Sequence, residues 1–250
     1  MNRDSKEQCL YLAIDDTDDI GTKGTGEIAE EIAQLIETQG LGRTSMVTRH
    51  QLFVHDSIPY TSHNSAMCFQ IFTAEPDPEA IRSLAIKHLL AESAPASDPG
   101  LALLSSDGRE DWTPLVTYGL SAKRQVLTKT DAYSLAEELA VHLSEHGGTG
   151  DGVIGALAAI GLRMTGSDGR YKGRLKLPAA EGLWRVSDII GQTTASAVVD
   201  LHGNRLTLDD EVCLTGKIKA VLLNHQQTLL VARDDNGQWR NAGRQELKAY

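Results

Sequence analysis

Residues 10–14 (LYLAI) form an apolar, β-prone run that predicts a buried strand, and EIAEEIAQLIETQG at 27–40 repeats its apolar positions at helical spacing up to a stop at Gly40. TSMVTRHQLFV (44–54) alternates and branches like a strand, and AMCFQIFT (66–73) reads as another. In DPEAIRSLAIKHLLAES (77–93), Ile81, Leu84, Ala85 and Leu89 share one helix face and Pro78 sits in the first turn, with His88 beside that face as a core histidine. LALLSS (101–106) predicts a short strand, 112–122 a helix and 124–128 a strand. DAYSLAEELAVHLSEH predicts one helix from an Asp131 cap to His146, and GDGVIGALAAIGLRM (150–164) a helix of small residues. Beyond about residue 174 the runs RLKLP, AVVDLH, RLTL, EVCLTGKIKAVLLN, TLLVAR and QWRNA are β-like, with turn signals at HGNR (202–205) and DDNG (234–237). The pattern predicts an α+β or α/β chain. A split mixed-sheet core occupies 1–189, with a small α+β insertion at about 60–125. A β-rich module of 190–250 follows and doubles as a candidate dimerisation arm.

Between the first strand and the first helix the chain concentrates its chemistry. Asp15, Asp16, Asp18 and Asp19 fall within five residues, followed by Gly21, Gly24 and Gly26 with Thr22, Lys23 and Thr25 between them. Carboxylates at a strand end are the hard oxygen ligands that Mg²⁺ takes alongside substrate phosphates. Glycines let backbone N–H groups approach an anion, the helix N-terminus adds its dipole, and Lys23 places a point charge on a phosphate. Acidic turns also occur for turn and capping chemistry alone, which is the plainer reading. Four like charges so close repel one another, and a cation is the simplest remedy. The glycine spacing matches neither a P-loop nor a dinucleotide fingerprint. Arg49 is placed to pair with a carboxylate of this stretch or with a phosphate, or to end a solvated strand. GGTGDG (147–152), with Gly148, Gly150 and Gly152, is a second candidate phosphate loop. His55 and His63 lie on a polar loop without a partner motif, so a transition-metal site is disfavoured there, and His63 and Asn64 suit hydrogen bonds to a base or sugar.

The IDDTD motif and its small-residue turn into a helix resemble the catalytic core of the archaeal agmatinylcytidine synthetases (TiaS), which modify an isoleucine tRNA. VTRHQLFVHDSIPYTSHNSAM (47–67) and GDGVIGALAAIGLRM (150–164) extend the resemblance over about residues 10–175. It implies a kinase-like, nucleotide-binding core that uses ATP and Mg²⁺, a ferredoxin-like counterpart for the insertion, and an OB-like counterpart for the β-rich module. The same resemblance makes Asp168 a further metal ligand beside Asp15, Asp16 and Asp18. Two departures stand out. The family carries Cys-Thr-Thr where this chain has Gly24, Thr25 and Gly26, so the second threonine, tied to phosphoryl transfer, is a glycine. The family also carries a zinc ribbon, which Cys9, Cys68 and Cys213 cannot build without a CxxC pair.

Composition narrows the partners. A formal net charge of −10 argues against a general nucleic-acid surface, and 5% aromatic residues leave little for base stacking. Three scattered cysteines suit a reducing compartment, and residues 1–9 have no apolar segment of the signal-peptide type, so the expected location is cytoplasmic. The expected activity is an ATP- and Mg²⁺-dependent phosphotransferase or ligase acting on a nucleotide-like or small-molecule acceptor. Asp15, Asp16, Lys23 and Arg49 are its catalytic candidates. Gly21, Thr22, Gly24, Thr25, Gly26, Gly148, Gly150 and Gly152 are its cofactor-binding candidates. A non-catalytic nucleotide-binding regulator is the second reading, and a tRNA modifier that recruits tRNA through a partner is the third. A homodimer is also expected.

Overall fold

β1 (Gln8–Asp15) pairs antiparallel with two strands at once, β4 (Ser65–Thr73) on one side and β5 (Gly100–Ser105) on the other. The computed structural model describes residues 7–58, 64–106, 109–177 and 181–250. Its chain divides into two compact units, 1–164 and 165–250.

In the first unit β1 leads into helix α1 (Thr25–Thr38), then β2 (Arg43–Thr44) and β3 (Thr48–Gln51), which both pair with β4. Helix α2 (Pro78–Glu92) joins β4 to β5. The order β5-β1-β4-β3, all antiparallel, is the split βαβ arrangement of ferredoxin-like folds. That arrangement, expected at about 60–125, runs from Gln8 through Ser105 and takes in the acidic motif.

Side-chain alternation explains the layers. Leu10, Leu12, Ile14, Phe69, Ile71, Leu101 and Leu103 face α1 and α2, and Ala13, Ala66, Cys68, Ala102 and Leu104 face the opposite side. The residues facing α1 and α2 are large. Those on the second face are mostly small, which lets helix α5 (Gly152–Met164) lie close to the sheet. Helices α3 (Thr113–Ala122) and α4 (Lys129–Glu138) pack against α5 on that face. The α3–α5 crossing is backbone-close, because a Cβ on Gly161 would lie 2.1 Å from the Leu115 carbonyl oxygen.

Three expectations for this unit are corrected. Residues 131–146 are not one helix: α4 ends at Glu138, Ala140 takes φ 55°, and His142–Glu145 form β6, an edge strand on β5. Thr128, not Asp131, caps α4, and the two form a capping box with Asp131 at its third position. The strand expected at 124–128 is a turn and the extended approach to that cap.

The second unit is β-rich and starts at Thr165, whereas the expected β-rich module spans 190–250. It contains β7 (Arg170–Tyr171), β8 (Gly182–Arg185), helix α6 (Val186–Gln192), β9 (Ala197–Asp200), β10 (Glu211–Leu214), β11 (Ala220–Leu223), β12 (Gln226–Arg233) and β13 (Trp239–Asn241). Their order is β7-β11-β12-β13-β10-β8, with β9 parallel to β12, so this sheet is mixed. Its core gathers Val186, Ile189, Val198, Val212, Leu229 and Val231. The RLTL run forms only an isolated bridge at Arg205 rather than a strand. The chain is thus an α+β protein. Among the described residues no helix is long and apolar enough to cross a membrane.

Gly161→Ala must push α5 away from the Leu115 carbonyl. We expect it to destabilise the first unit by about 1–3 kcal/mol in urea denaturation, with Ala159→Gly on the same helix as a control for propensity.

Candidate active site

The last residue of β1 is Asp15, and its carboxylate turns under α5. A Cβ on Gly155 would meet Asp15 Oδ2 at 1.7 Å, so only glycine at that point of α5 admits the carboxylate. The approach continues upstream. A Cβ on Gly100, the first residue of β5, would lie 2.1 Å from the Gly152 carbonyl carbon, and one on Gly152 would lie 2.3 Å from the Asp98 carbonyl oxygen. Asp16 follows in the left-handed region at φ 52°, which Asp tolerates better than most residues, and this turns the chain out of the strand.

Asp15, Asp16, Asp18 and Asp151 line one cavity together with Thr25, the first residue of α1. Thr25 Oγ1 donates to Asp18 Oδ1 at 2.8 Å, which ties the acidic turn to the helix start. Gly24 caps α1 without a side-chain bond. Asp98 stands behind this group. It accepts from the Thr149 N–H at 2.8 Å and from Thr149 Oγ1 at 2.6 Å.

The electrostatics follow from that packing. Burial pushes the Asp15 carboxyl up to about 8, and the charges of Asp16 and Asp18 add to it, against a partly offsetting Asp16 backbone N–H. Burial, then the charges of Asp98, Asp18 and Asp151, raise Asp16 to about 6. This is a donor set of hard oxygens under mutual repulsion, which suits a divalent cation. Among the described residues no group of three or more His, Cys, Asp or Glu side chains is placed to hold a metal ion.

The other expected residues take different places. Lys23 is held by Glu31 at 2.8 Å and Glu92 at 2.5 Å, and Glu31 also meets His88 Nε2 at 2.8 Å, so this amine and the His88 ring tie α1 to α2 and Lys23 does not line the cavity. Thr22 closes its own turn, accepting from the Asp19 N–H and donating to the Asp19 carbonyl. Gly21 supplies a positive φ in that loop, and Gly26 is buried inside α1. Arg49 reaches the cavity wall indirectly, since its Nε donates to Ser65 Oγ at 2.9 Å and Ser65 lines the cavity. In the loop of residues 147–152, the N–H groups of Gly150 and Gly152 donate to the carbonyls of Gly147 and Asp98, so they face protein rather than an anion. Gly148 packs against the Asp98 carboxylate and Gly150 against Glu145. Asp168 is a buried residue of the second unit. His55 Nδ1 bonds Ser57 Oγ at 2.8 Å, and His63 lies outside the described residues.

Sequence reading missed Asp98, Thr149 and Asp151. Asp151 sat in view within the glycine loop, whereas nothing local marks Asp98, whose role comes from where β5 begins.

No family model matches the chain. An uncharacterised protein of Methanocaldococcus jannaschii is 28% identical over 157 residues, which are 63% of this chain and 51% of that protein. Among solved structures, a tRNA fluorescent labelling enzyme matches at TM-score 0.53 and 23% identity, over 61% of this chain and 36% of its own. TiaS in complex with an isoleucine tRNA and ATP matches at TM-score 0.53 and 20% identity, over 70% and 38% respectively. TiaS in complex with the same tRNA, AMPCPP and agmatine matches at 0.53 and 18%, over 72% and 43%. The chain thus spans about half of the Methanocaldococcus relative and less than half of each solved chain. At these identities the likeness is one of fold: the chain shares, distantly, the architecture of TiaS.

A carboxyl raised on folding makes the folded state prefer its protonated form. Below the unfolded value of 3.8 Asp15 is protonated in both states and costs nothing. Its penalty grows as pH rises toward about 8 and is complete above it. Asp15→Asn is therefore expected to raise the Tm by roughly 3 °C or more at pH 8 and to leave it unchanged at pH 3.5, measured by thermal circular dichroism. An equal shift at both pH values would remove the electrostatic account.

Proposed function

We propose that the first unit binds a nucleoside triphosphate with Mg²⁺, and that the protein is an ATP-dependent phosphotransferase or ligase acting on a nucleotide-like or small-molecule acceptor. One observation carries this reading: Asp15, Asp16, Asp18 and Asp151 line a single cavity at the start of α1, under mutual repulsion, on a TiaS-like fold.

Asp15 and Asp16 would hold Mg²⁺ together with ligand phosphates, with Asp18, Asp98 and Asp151 adding negative potential around it. The ion supplies charge neutralisation to phosphate oxygens when bound. Thr25 holds Asp18 in place through its hydroxyl, and the side-chain-free start of α1 turns its dipole toward an anion. Ser65, steadied by Arg49, offers a hydroxyl to the ligand. Lys23 has no part in this reading, because Glu31 and Glu92 hold it.

A second reading, a regulator that binds nucleotide without turnover, is favoured by Gly26. The second threonine of the resembling family has no hydroxyl counterpart there, and the residue is buried inside α1. ATP turnover separates the two readings once binding is established.

The test is calorimetric titration of ATP into the protein with and without Mg²⁺, on wild type and on Asp15→Ala/Asp16→Ala. We expect Mg²⁺-dependent binding that weakens at least tenfold in the double variant. Absence of binding to the folded wild type would remove the nucleotide reading.

A further inference from the structure

Away from the acidic cavity, the sheet of the first unit ends in a pair of imidazoles. His142 and Ser144 of β6, and His146 just beyond it, alternate with Leu143 and Glu145. Leu143 packs into the core on the α5 side. β6 pairs His142 with Leu103 and Ser144 with Leu101, and both leucines face α1 and α2, so the imidazoles stand on that other face. Ser144 Oγ lies 3.1 Å from His142 Nε2 and 2.8 Å from His146 Nε2. The His146 N–H donates to the Pro99 carbonyl at 2.8 Å, which holds this residue past the strand end. β6 is the outermost strand on its side of the sheet, and all three side chains are half-buried, so solvent reaches them.

One hydroxyl proton cannot serve two imidazoles. Ser144 donates to one Nε2 and accepts from the other, which must then carry its own proton there. Among the described residues neither Nδ1 has a hydrogen-bond partner, so nothing fixes that tautomer. With the protons on Nδ1, both Nε2 lone pairs turn toward the same oxygen. The spacing is then that of neighbouring ligands on one ion: donors about 2.0–2.1 Å from a metal and at right angles to each other stand about 3 Å apart. Burial holds both imidazoles below their usual range. At His142 the charge of Arg82 and the second ring act the same way and Glu79 acts against them, so protons compete weakly for these nitrogens near neutral pH. Arg82 is itself paired with Glu79 on α2, which offsets its charge beside the rings.

We propose that His142, His146 and the Ser144 hydroxyl bind one transition-metal ion of the imidazole-preferring class, Zn²⁺ or a neighbour of it, with solvent completing the coordination. None of the three residues lines the acidic cavity, so the site stands apart from the nucleotide reading. The two differ in kind as well as place, since carboxylate oxygens suit hard cations and imidazole nitrogens suit the later first-row metals. Two imidazoles and a neutral hydroxyl form an open set, in contrast to the closed four-ligand cage of structural zinc sites.

The test titrates zinc into the full chain near neutral pH, with Mg²⁺ in excess to occupy the carboxylates, followed by calorimetry and by NMR of the histidine rings. We expect one saturable site whose filling shifts the ring signals of His142 and His146 and spares the rest of the 8 histidines. His142→Gln and His146→Gln keep an amide to bond Ser144 and so preserve the fold. Each should weaken zinc at least roughly tenfold. Ring shifts confined to other histidines, zinc affinity unchanged in either glutamine variant, or no binding to the folded wild type would overturn the site.

Discussion

The acidic end of the first unit depends on how closely α5 lies over the ends of β1 and β5. Three glycines permit it. Gly100 and Gly152 let two backbones meet where any side chain would overlap them, and Gly155 leaves room for the Asp15 carboxylate under the helix. The small residues on that face of the sheet, Ala13, Ala66, Cys68 and Ala102, extend the same closeness along α5. A bulkier face would lift the helix and open Asp15 to water. The carboxylate is therefore buried by backbone geometry rather than by a partner side chain, and that distinguishes it from a carboxylate in a structural ion pair.

Burial of this kind has an electrostatic consequence. A buried charge is costly unless it is paired, and Lys23, the lysine nearest in sequence, is engaged by Glu31 and Glu92 between α1 and α2. The remaining ways to neutralise Asp15 are a proton or a cation from solution. Under the proposed reading the two compete for the same oxygens, and cation binding is then linked to proton release and strengthens as pH rises. Thr25 and Thr149 serve the cluster differently: each gives a hydroxyl proton to one carboxylate, Asp18 or Asp98, and so orients it without cancelling its charge.

How much of this the chain disclosed in advance varied with the range of the interaction that decides each feature. β1, the acidic turn and α1 were legible because an apolar run, a polar break and a 3.6-residue periodicity follow one another directly. The stretch 131–146 was not. AEELAVHLSEH keeps apolar residues at helical spacing, yet His142 and Ser144 also alternate with Leu143, and pairing with β5 decides for a strand. The glycines of 147–152 were legible as special, but not the packing they serve: they admit the Asp98 and Glu145 side chains and the β5 backbone, two of their N–H groups are spent on carbonyls, and Gly152 lines the cavity. Asp98 lay beyond reach altogether, because its part in the cluster follows from the place where β5 begins against a loop 51 residues later in the chain.

The start of α1 bears on what chemistry the cavity can host. Thr25 has its hydroxyl proton on Asp18, and the next residue, Gly26, brings no side chain. Ser57 is bonded to His55 and Ser65 to Arg49, so each hydroxyl on the opposite wall is already oriented by a neighbour. Thr25 is engaged with a carboxylate and Ser65 with Arg49, whereas Ser57 Oγ stands 2.8 Å from His55 Nδ1. Under the proposed reading the protein contributes placement and charge. Carboxylates and aliphatic side chains line the same cavity, and that mixed lining suits a ligand with both charged and apolar parts.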